Sequence, residues 1–375
     1  MKEIGLYVHI PFCKQKCMYC DFPSYAGKEK YMDKYIEALS KEIEEKGKQY
    51  IIKSIFIGGG TPSYLDEKNL DNLLNSICKL KIKDDAEFTV ECNPGTLNEK
   101  KLKIMKANKV NRLSMGLQST DNNLLKIIGR IHTYELFEAN FSLARRIGFN
   151  NINIDIMFGL PNQNVEIYEE TLKKIVMLNP EHISAYSLIV EEGTRFHELY
   201  QNGTLNLPNE DDEREMYYIT KKILERHNYK QYEISNFSKN SKECSHNKIY
   251  WECKEYLGVG ASASSYINKK RMKNLDNIKK YIQDIESGKS VCIDVHENTM
   301  RDEIEEYIFM GLRMIRGIDL EEFRDKFNKD IYTIYPNEIK KHIENKLLVI
   351  EDGRMKLSRQ GIEYSNYVMS DFILT

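Results

Sequence analysis

Residues 4–20 read IGLYVHIPFCKQKCMYC. The first seven are a β-branched and aromatic run of strand length, and Pro11, with no N–H to give to a ladder, ends it. Cys13, Cys17 and Cys20 follow at once in a C-x-x-x-C-x-x-C spacing, so a strand delivers three thiols to the loop at its carboxyl end. Runs of the same kind recur at 54–57 (SIFI), 87–91 (EFTVE), 112–116 (RLSMG), 152–157 (INIDIM) and 182–188 (HISAYSL). The intervals carry helical spacing, as in Met32, Ile36, Leu39 and Ile43, which fall on one face. Six βα units in a row predict an α/β fold with a parallel sheet.

Several of these strands run straight into Pro or Gly: GGGTP at 58–62, NPG at 93–95 and GLP at 159–161. In a barrel-like α/β fold these are the loops at the carboxyl ends of the strands, where ligands bind. Beyond residue 188 the pattern loosens into a helix near 209–226, a short strand-like YEIS and a Gly/Ser-rich stretch, LGVGASASSY. The basic run KKRMKNLDNIKK (269–280) reads as a solvated loop or helix face. From Met300 the chain reads as three helices and a hairpin, LLVIEDGRMKLS, turning at Asp352 and Gly353. The expected organisation is a barrel core over 1–235, a connecting segment over 236–299 and a small α+β, winged-helix-like domain over 300–375.

The chain has 375 residues, 55 Lys+Arg against 57 Asp+Glu, 41% apolar and 30% charged residues. That is a globular composition, and the charge balance speaks against a nucleic-acid binder. The tail from 300 on has 12 basic and 15 acidic residues, a net −3 and the wrong sign for holding phosphates. No apolar run reaches the roughly 18 residues of a membrane span, and no signal-peptide pattern opens the sequence. The expectation is a cytoplasmic protein without a transmembrane segment, which leaves peripheral membrane association open.

Eight cysteines are too few for a disulfide scaffold, and five of them, Cys78, Cys92, Cys244, Cys253 and Cys292, are scattered as small buried hydrophobes would be. The triplet is different. A structural zinc site needs a fourth ligand, usually from a second C-x-x-C or H-x-x-H pair, and no such pair is present. Three thiolates suit three irons of a 4Fe-4S cluster, with the fourth iron open to chemistry.

At these residues the chain resembles the radical S-adenosylmethionine (radical SAM) superfamily, whose signature is this spacing with an aromatic, here Tyr19, before the third cysteine. YVHIPFC (7–13), GGGTPS (58–63), GLQS (116–119), IDIMFGLP (154–161) and the C-terminal region narrow the resemblance, over essentially the whole chain, to the oxygen-independent coproporphyrinogen III oxidase family. The resemblance implies a partial (β/α)6 TIM-like barrel that holds a 4Fe-4S cluster on Cys13, Cys17 and Cys20 and S-adenosylmethionine on its open iron. One electron, from a donor of the cluster, then cleaves the sulfonium to a 5′-deoxyadenosyl radical. It also implies cofactor contacts from Tyr7, near the cluster-bound methionine, from the backbone of Gly59, Gly60 and Thr61, from Glu91, Gln118, Arg130 and Asp155, and from Ile189 beside adenine. Glycine at the turn lets the main chain approach closely.

Two departures point to one branch. The oxidases carry a further cysteine two residues past the third ligand, where this chain has Cys20-Asp21-Phe22, and a long arm before the first strand, where only six residues precede Tyr7. Both resemble the heme chaperone branch, which keeps the cluster and S-adenosylmethionine but binds heme and passes it to acceptor proteins. HNKIYW (246–251) matches that branch's H-N-x-x-Y motif, so the resemblance makes His246, with Asn247 and Tyr250, the expected heme contact; imidazole is a common axial ligand. Two alternatives stand beside it: a coproporphyrinogen III dehydrogenase and a regulator that uses the tail on DNA.

Overall fold

The computed structural model describes residues 1–239 and 241–373. All six expected strands are present: β1 (Lys2–Ile10), β2 (Tyr50–Gly59), β3 (Ile82–Cys92), β4 (Arg112–Gln118), β5 (Ile152–Phe158) and β6 (His182–Ser187). Each pairs in parallel with the next. The connecting helices start where short polar side chains cap them: Asp66, Asn98, Thr133 and Asn164 each accept a backbone N–H from the first turn. The radical SAM-type α/β architecture expected from the sequence is the one found.

Alternate residues of these strands point to opposite sides. Ile4, Leu6, Val8, Ile55, Ile57, Leu113, Met115, Ile154 and Ile156 are fully buried against the helices. The other set is largely polar and also buried, including Ser54, Thr89, Arg112, Ser114, Asn153, His182 and Ser184. Both faces are thus inside the protein, and one of them lines a polar interior. The sheet is curled around it, because one segment touches strands far apart in the order. The backbone N–H groups of Ser245 and His246 donate to Glu87 of β3. Tyr232 meets both the Cys244 backbone and His182 of β6.

The sheet extends well beyond the six strands. β7 (Lys230–Gln231) and β8 (Asn236–Ser238) continue it antiparallel past β6. On the other side β9 (Tyr256–Val259) pairs in parallel with β1, followed by antiparallel β10 (Ser264–Ile267), β11 (Lys270–Asn274) and β12 (Cys292–Glu297). Two expectations are corrected here. The segment over 236–299 is built into the barrel's own sheet rather than connecting two units. The basic run opens as a strand: Lys270 and Arg271 are neutralised by Glu297 and Glu306, so charge does not keep it in solvent.

From Met300 the chain builds a second hydrophobic core, with Ile304, Ile308, Leu312, Phe323, Leu348 and Met355 buried in it. Helices Met300–Arg313, Leu320–Phe327 and Pro336–Glu344 pack with a three-stranded sheet of β13 (Ile318–Asp319), β14 (Leu348–Glu351) and β15 (Arg354–Leu357). The hairpin turns where the sequence places it, with φ of 50° at Asp352 and 72° at Gly353, as a two-residue primed turn requires. Among the described residues no helix is long and apolar enough to cross a membrane.

Candidate functional site

The three thiols sit at the carboxyl end of β1. Cys13 is nearly buried, and Cys17 and Cys20 are partly exposed. The loop is held from three sides. Cys13 N–H donates to the Tyr25 carbonyl at 3.0 Å, Met18 N–H to Ile128 at 3.1 Å, and Phe196 N–H to Met18 at 2.9 Å. A small apolar cluster of Leu124, Leu125, Ile128, Met157, Leu160 and Phe196 packs under Met18 and Tyr19. Burial pushes the Cys20 thiol up to about 11, and its two neighbouring thiols add to the rise. Among the described residues no three His, Cys, Asp or Glu side chains converge as a single-ion cage would. A 4Fe-4S cluster takes each thiolate on a different iron, and three cysteine side chains on one loop are a donor set that suits such a group.

The glycine turn lies directly against this loop. Gly60 N–H donates to Ile10 and Thr61 N–H to Phe12, each at 2.8 Å, and the Thr61 hydroxyl is 3.4 Å from the Cys13 sulfur. A Cβ on Gly60 would lie 2.8 Å from the Phe12 carbonyl and 3.1 Å from the Cys13 sulfur. Gly59, at φ 106°, would meet the His9 ring at 2.5 Å. Side chains are therefore excluded at both positions by the packing of the turn against β1 and the cysteine loop.

Four polar residues named from the sequence gather at the same end. Glu91 accepts the Gly59 N–H at 3.2 Å; burial and the Asp155 charge raise its carboxyl to about 8. Asp155 accepts from Ser114 at 3.1 Å and Asn153 at 2.8 Å, and burial raises it as well. Arg130 donates to Asn93 Oδ1 at 3.1 Å, to the Gly116 carbonyl and to the Cys17 sulfur at 3.6 Å. Gly116 makes room for this: a Cβ there would lie 2.9 Å from Gln118 Nε2 and 3.1 Å from Arg130 Nη2. Gln118 itself holds φ 72° at a register shift in β4, which turns the strand end toward Arg130. Tyr7 reaches His9 at 3.0 Å, and His9 holds the Pro23 carbonyl at 2.8 Å, linking β1 to the far end of the cysteine loop. Tyr19 lies beside Arg130 and Cys17. Ile189 is 63% exposed just past β6.

These residues include a tethering layer that the sequence reading missed: His9, Ser114, Asn153 and Ser184, with fully buried Arg112 balancing Glu87, Asp155 and Glu91. The signal was present in the alternation, since residues two apart from Glu91 and Asp155 share their face.

His246, Asn247 and Tyr250 are somewhere else. Helix Ser245–Trp251 closes the amino end of the barrel, opposite the cysteine loop. His246 is 0% exposed; its Nδ1 meets Ser54 Oγ at 2.8 Å and its Nε2 meets Tyr250 Oη at 2.9 Å. Its ring stacks on Phe56 at 5.4 Å, and Phe56 in turn on Tyr7 at 6.5 Å. Asn247 is partly buried and lends its backbone N–H to the Cys244 thiol. Tyr250 packs edge-on against Tyr256, and Trp251 lies under Arg313 of the C-terminal core. An axial ligand needs a free ring nitrogen and room for a porphyrin. In this structure both ring nitrogens are engaged and the helix plugs the space between barrel and C-terminal domain, so the heme contact that the sequence resemblance implies at His246 requires one nitrogen to be released.

Comparison with known proteins agrees with this geometry. The radical SAM superfamily model matches residues 7–175 and the HemN C-terminal domain model residues 298–364. The chain is 41% identical over 372 residues to heme chaperone HemW of Bacillus subtilis, covering 98% of both chains, and 37% identical to that of Lactococcus lactis, covering 100% and 98%. Its fold is similar to that of the coproporphyrinogen III oxidase HemN from Escherichia coli, with a TM-score of 0.87 and 22% identity over 99% of this chain and 90% of that one. The cysteine loop and glycine turn at one end of the barrel, the tethered carboxylates beside them and this full-length likeness lead to one assignment: the chain belongs to the HemW family of radical SAM proteins.

Proposed function

We propose that the protein is a heme chaperone with a radical SAM core. The reading is that Cys13, Cys17 and Cys20 hold a 4Fe-4S cluster. S-adenosylmethionine then lies at the barrel mouth, against the Gly59–Thr61 backbone and between Glu91, Gln118, Arg130 and Asp155, with Tyr7, Tyr19 and Ile189 at its borders. Heme is the cargo, passed to an acceptor heme protein in the cytoplasm, and a separate donor supplies electrons to the cluster. The observation that carries the chaperone reading is the full-length identity to relatives named heme chaperones, and Phe22 in place of the oxidases' additional cysteine supports it.

The chain's own residues prepare the site. Gly59 and Gly60 keep the turn free of side chains, and Asn153 and Ser114 fix the Asp155 carboxylate so that it can accept from a ribose hydroxyl or an amino group. Arg130 brings a positive charge beside the cysteine loop. When bound, the cluster supplies one-electron reduction of the sulfonium. The test is anaerobic reconstitution followed by two assays in parallel. Heme titration should give a Soret change at about one heme per chain, and incubation with coproporphyrinogen III, S-adenosylmethionine and reductant should give no protoporphyrinogen. Robust vinyl formation overturns the chaperone reading in favour of the dehydrogenase.

A further inference from the structure

β12 is the last strand on its side of the sheet and is bonded to β11 alone. Its neighbours fix which way each backbone group points. The Asn298 N–H donates to the Lys269 carbonyl at 2.8 Å, next to the Lys270–Glu297 pair. Antiparallel ladders alternate bonded and non-bonded pairs, so Asn298, His296 and Asp294 face β11, while Glu297, Val295 and Ile293 turn their N–H and C=O groups outward. Among the described residues no backbone partner reaches these outward groups.

A bare edge is a template for another strand, and proteins guard such edges with Lys, Pro or a bulge. The strand CIDVHE has neither Lys nor Pro, and its one register shift against β11 lies at its start, where Cys292 meets Asn274. Ile293 and Val295 share one face and are 62% and 57% exposed. Val295 stands opposite Met272, which packs on the main core, so the apolar face of the sheet runs out to the open edge. The other face of β12 carries Asp294 and His296.

The strand's own sequence selects its partner. Two copies related by a twofold axis perpendicular to the sheet pair antiparallel, with like faces together. Centred on Ile293, this pairing needs Val291 to bond outward, but its carbonyl already accepts the Leu275 N–H at 2.9 Å. Centred on Asp294 or His296, it sets two carboxylates or two imidazoles directly against each other, in the closer, non-bonded kind of pair. Centred on Val295, it places Asp294 of each copy opposite His296 of the other, and Ile293 and Val295 of both copies meet in one diagonal apolar strip. Every outward residue then exchanges its backbone bonds with an outward residue of the second copy. We infer that the outer edge of β12 is an interface for a second copy of this chain, in the register centred on Val295, which joins two sheets into one.

Sedimentation equilibrium of the anaerobically reconstituted full chain tests this. The unsubstituted chain should show a concentration-dependent equilibrium between one and two copies. Val295→Pro removes the outward N–H at the axis and no bond to β11, and Val295→Lys sets two ammonium groups face to face; each should weaken association more than about tenfold. Asp294→Asn should weaken it about two- to thirtyfold, the range for losing two cross-strand charge pairs. Three results overturn the inference: a single copy at every concentration up to about 0.2 mM, a dimer that survives both Val295 substitutions, or tighter association in Asp294→Asn, as the register centred on Asp294 requires.

Discussion

Replacing His246 by Ala in the heme-free, cluster-free protein separates a structural plug from a waiting ligand. The imidazole is fully buried and is the hydrogen-bond partner of Ser54 Oγ at 2.8 Å and Tyr250 Oη at 2.9 Å. Its removal orphans two buried hydroxyls at about 1–3 kcal/mol each. It also removes stacking on Phe56 and an edge contact with Tyr250, worth about 0.5–1.5 kcal/mol apiece. Partial collapse of neighbouring side chains recovers some of this, although Ile249, whose Cδ1 lies 2.7 Å from where a Cβ on Gly5 would stand, leaves the helix little room to move toward β1. The expected net loss is about 3–5 kcal/mol, at the upper end for a single substitution. Urea unfolding followed by far-UV circular dichroism, with the barrel and C-terminal transitions fitted separately, should show the barrel midpoint falling. A histidine held ready for heme would be dispensable to the apo fold, so a change under about 0.5 kcal/mol, typical of surface sites, would refute the plug.

Three further outcomes follow from the site. Changing Cys13, Cys17 and Cys20 together to Ala should abolish iron binding by anaerobically purified protein, whereas Cys78→Ala and Cys292→Ala should leave about four irons per chain, measured by iron and sulfide analysis. Gly60→Ala, which drives a methyl into the Phe12 carbonyl and the Cys13 sulfur, should lower cluster occupancy without lowering the unfolding midpoint of the C-terminal domain. The Glu91 carboxyl is raised from 4.5 to about 8 in the folded chain, so between those values the native state holds a proton that the unfolded state has lost, and stability falls as pH rises through this window. Glu91→Gln should therefore stabilise the apo protein near pH 8 and have little effect near pH 5, and a difference that is flat with pH would contradict the raised carboxyl.

The parallel core was legible because period-two runs such as IGLYVHI and INIDIM, each followed by Pro or Gly, carry both the strand and its functional end in local sequence. The cysteine triplet and glycine turn were legible for the same reason. The tethering of Asp155 was harder to see: Ser114 and Ser184 lie on neighbouring strands, and only register puts them beside it. The antiparallel flank escaped because β11 is mostly charged, and its partners Glu297 and Glu306 are distant in sequence. The burial of His246 was not legible for a related reason. A Ser/Asn/Lys-rich stretch reads as exposed, but here the helix that carries it covers the open end of a polar interior, where Ser54 and Tyr250 satisfy the ring.

β1 stands in the middle of the sheet, with β2 on one side and β9 on the other. One neighbour lies about 40 residues away along the chain, but the other begins at Tyr256. At a synthesis rate of about 5–20 residues per second, β1 waits about 12–50 s on the ribosome for its second partner. During that interval one ladder edge of the strand that leads to Cys13 is open, and the plug helix just before Tyr256 has not yet capped the interior. The tethers of the cysteine loop, Tyr25, Ile128 and Phe196, are all made before that edge closes, but the strand that leads into the loop stays open on one side until then. Iron and sulfide delivered to the nascent chain would meet an unfinished barrel, and slow elongation would lengthen the period in which these thiols meet oxidants unprotected.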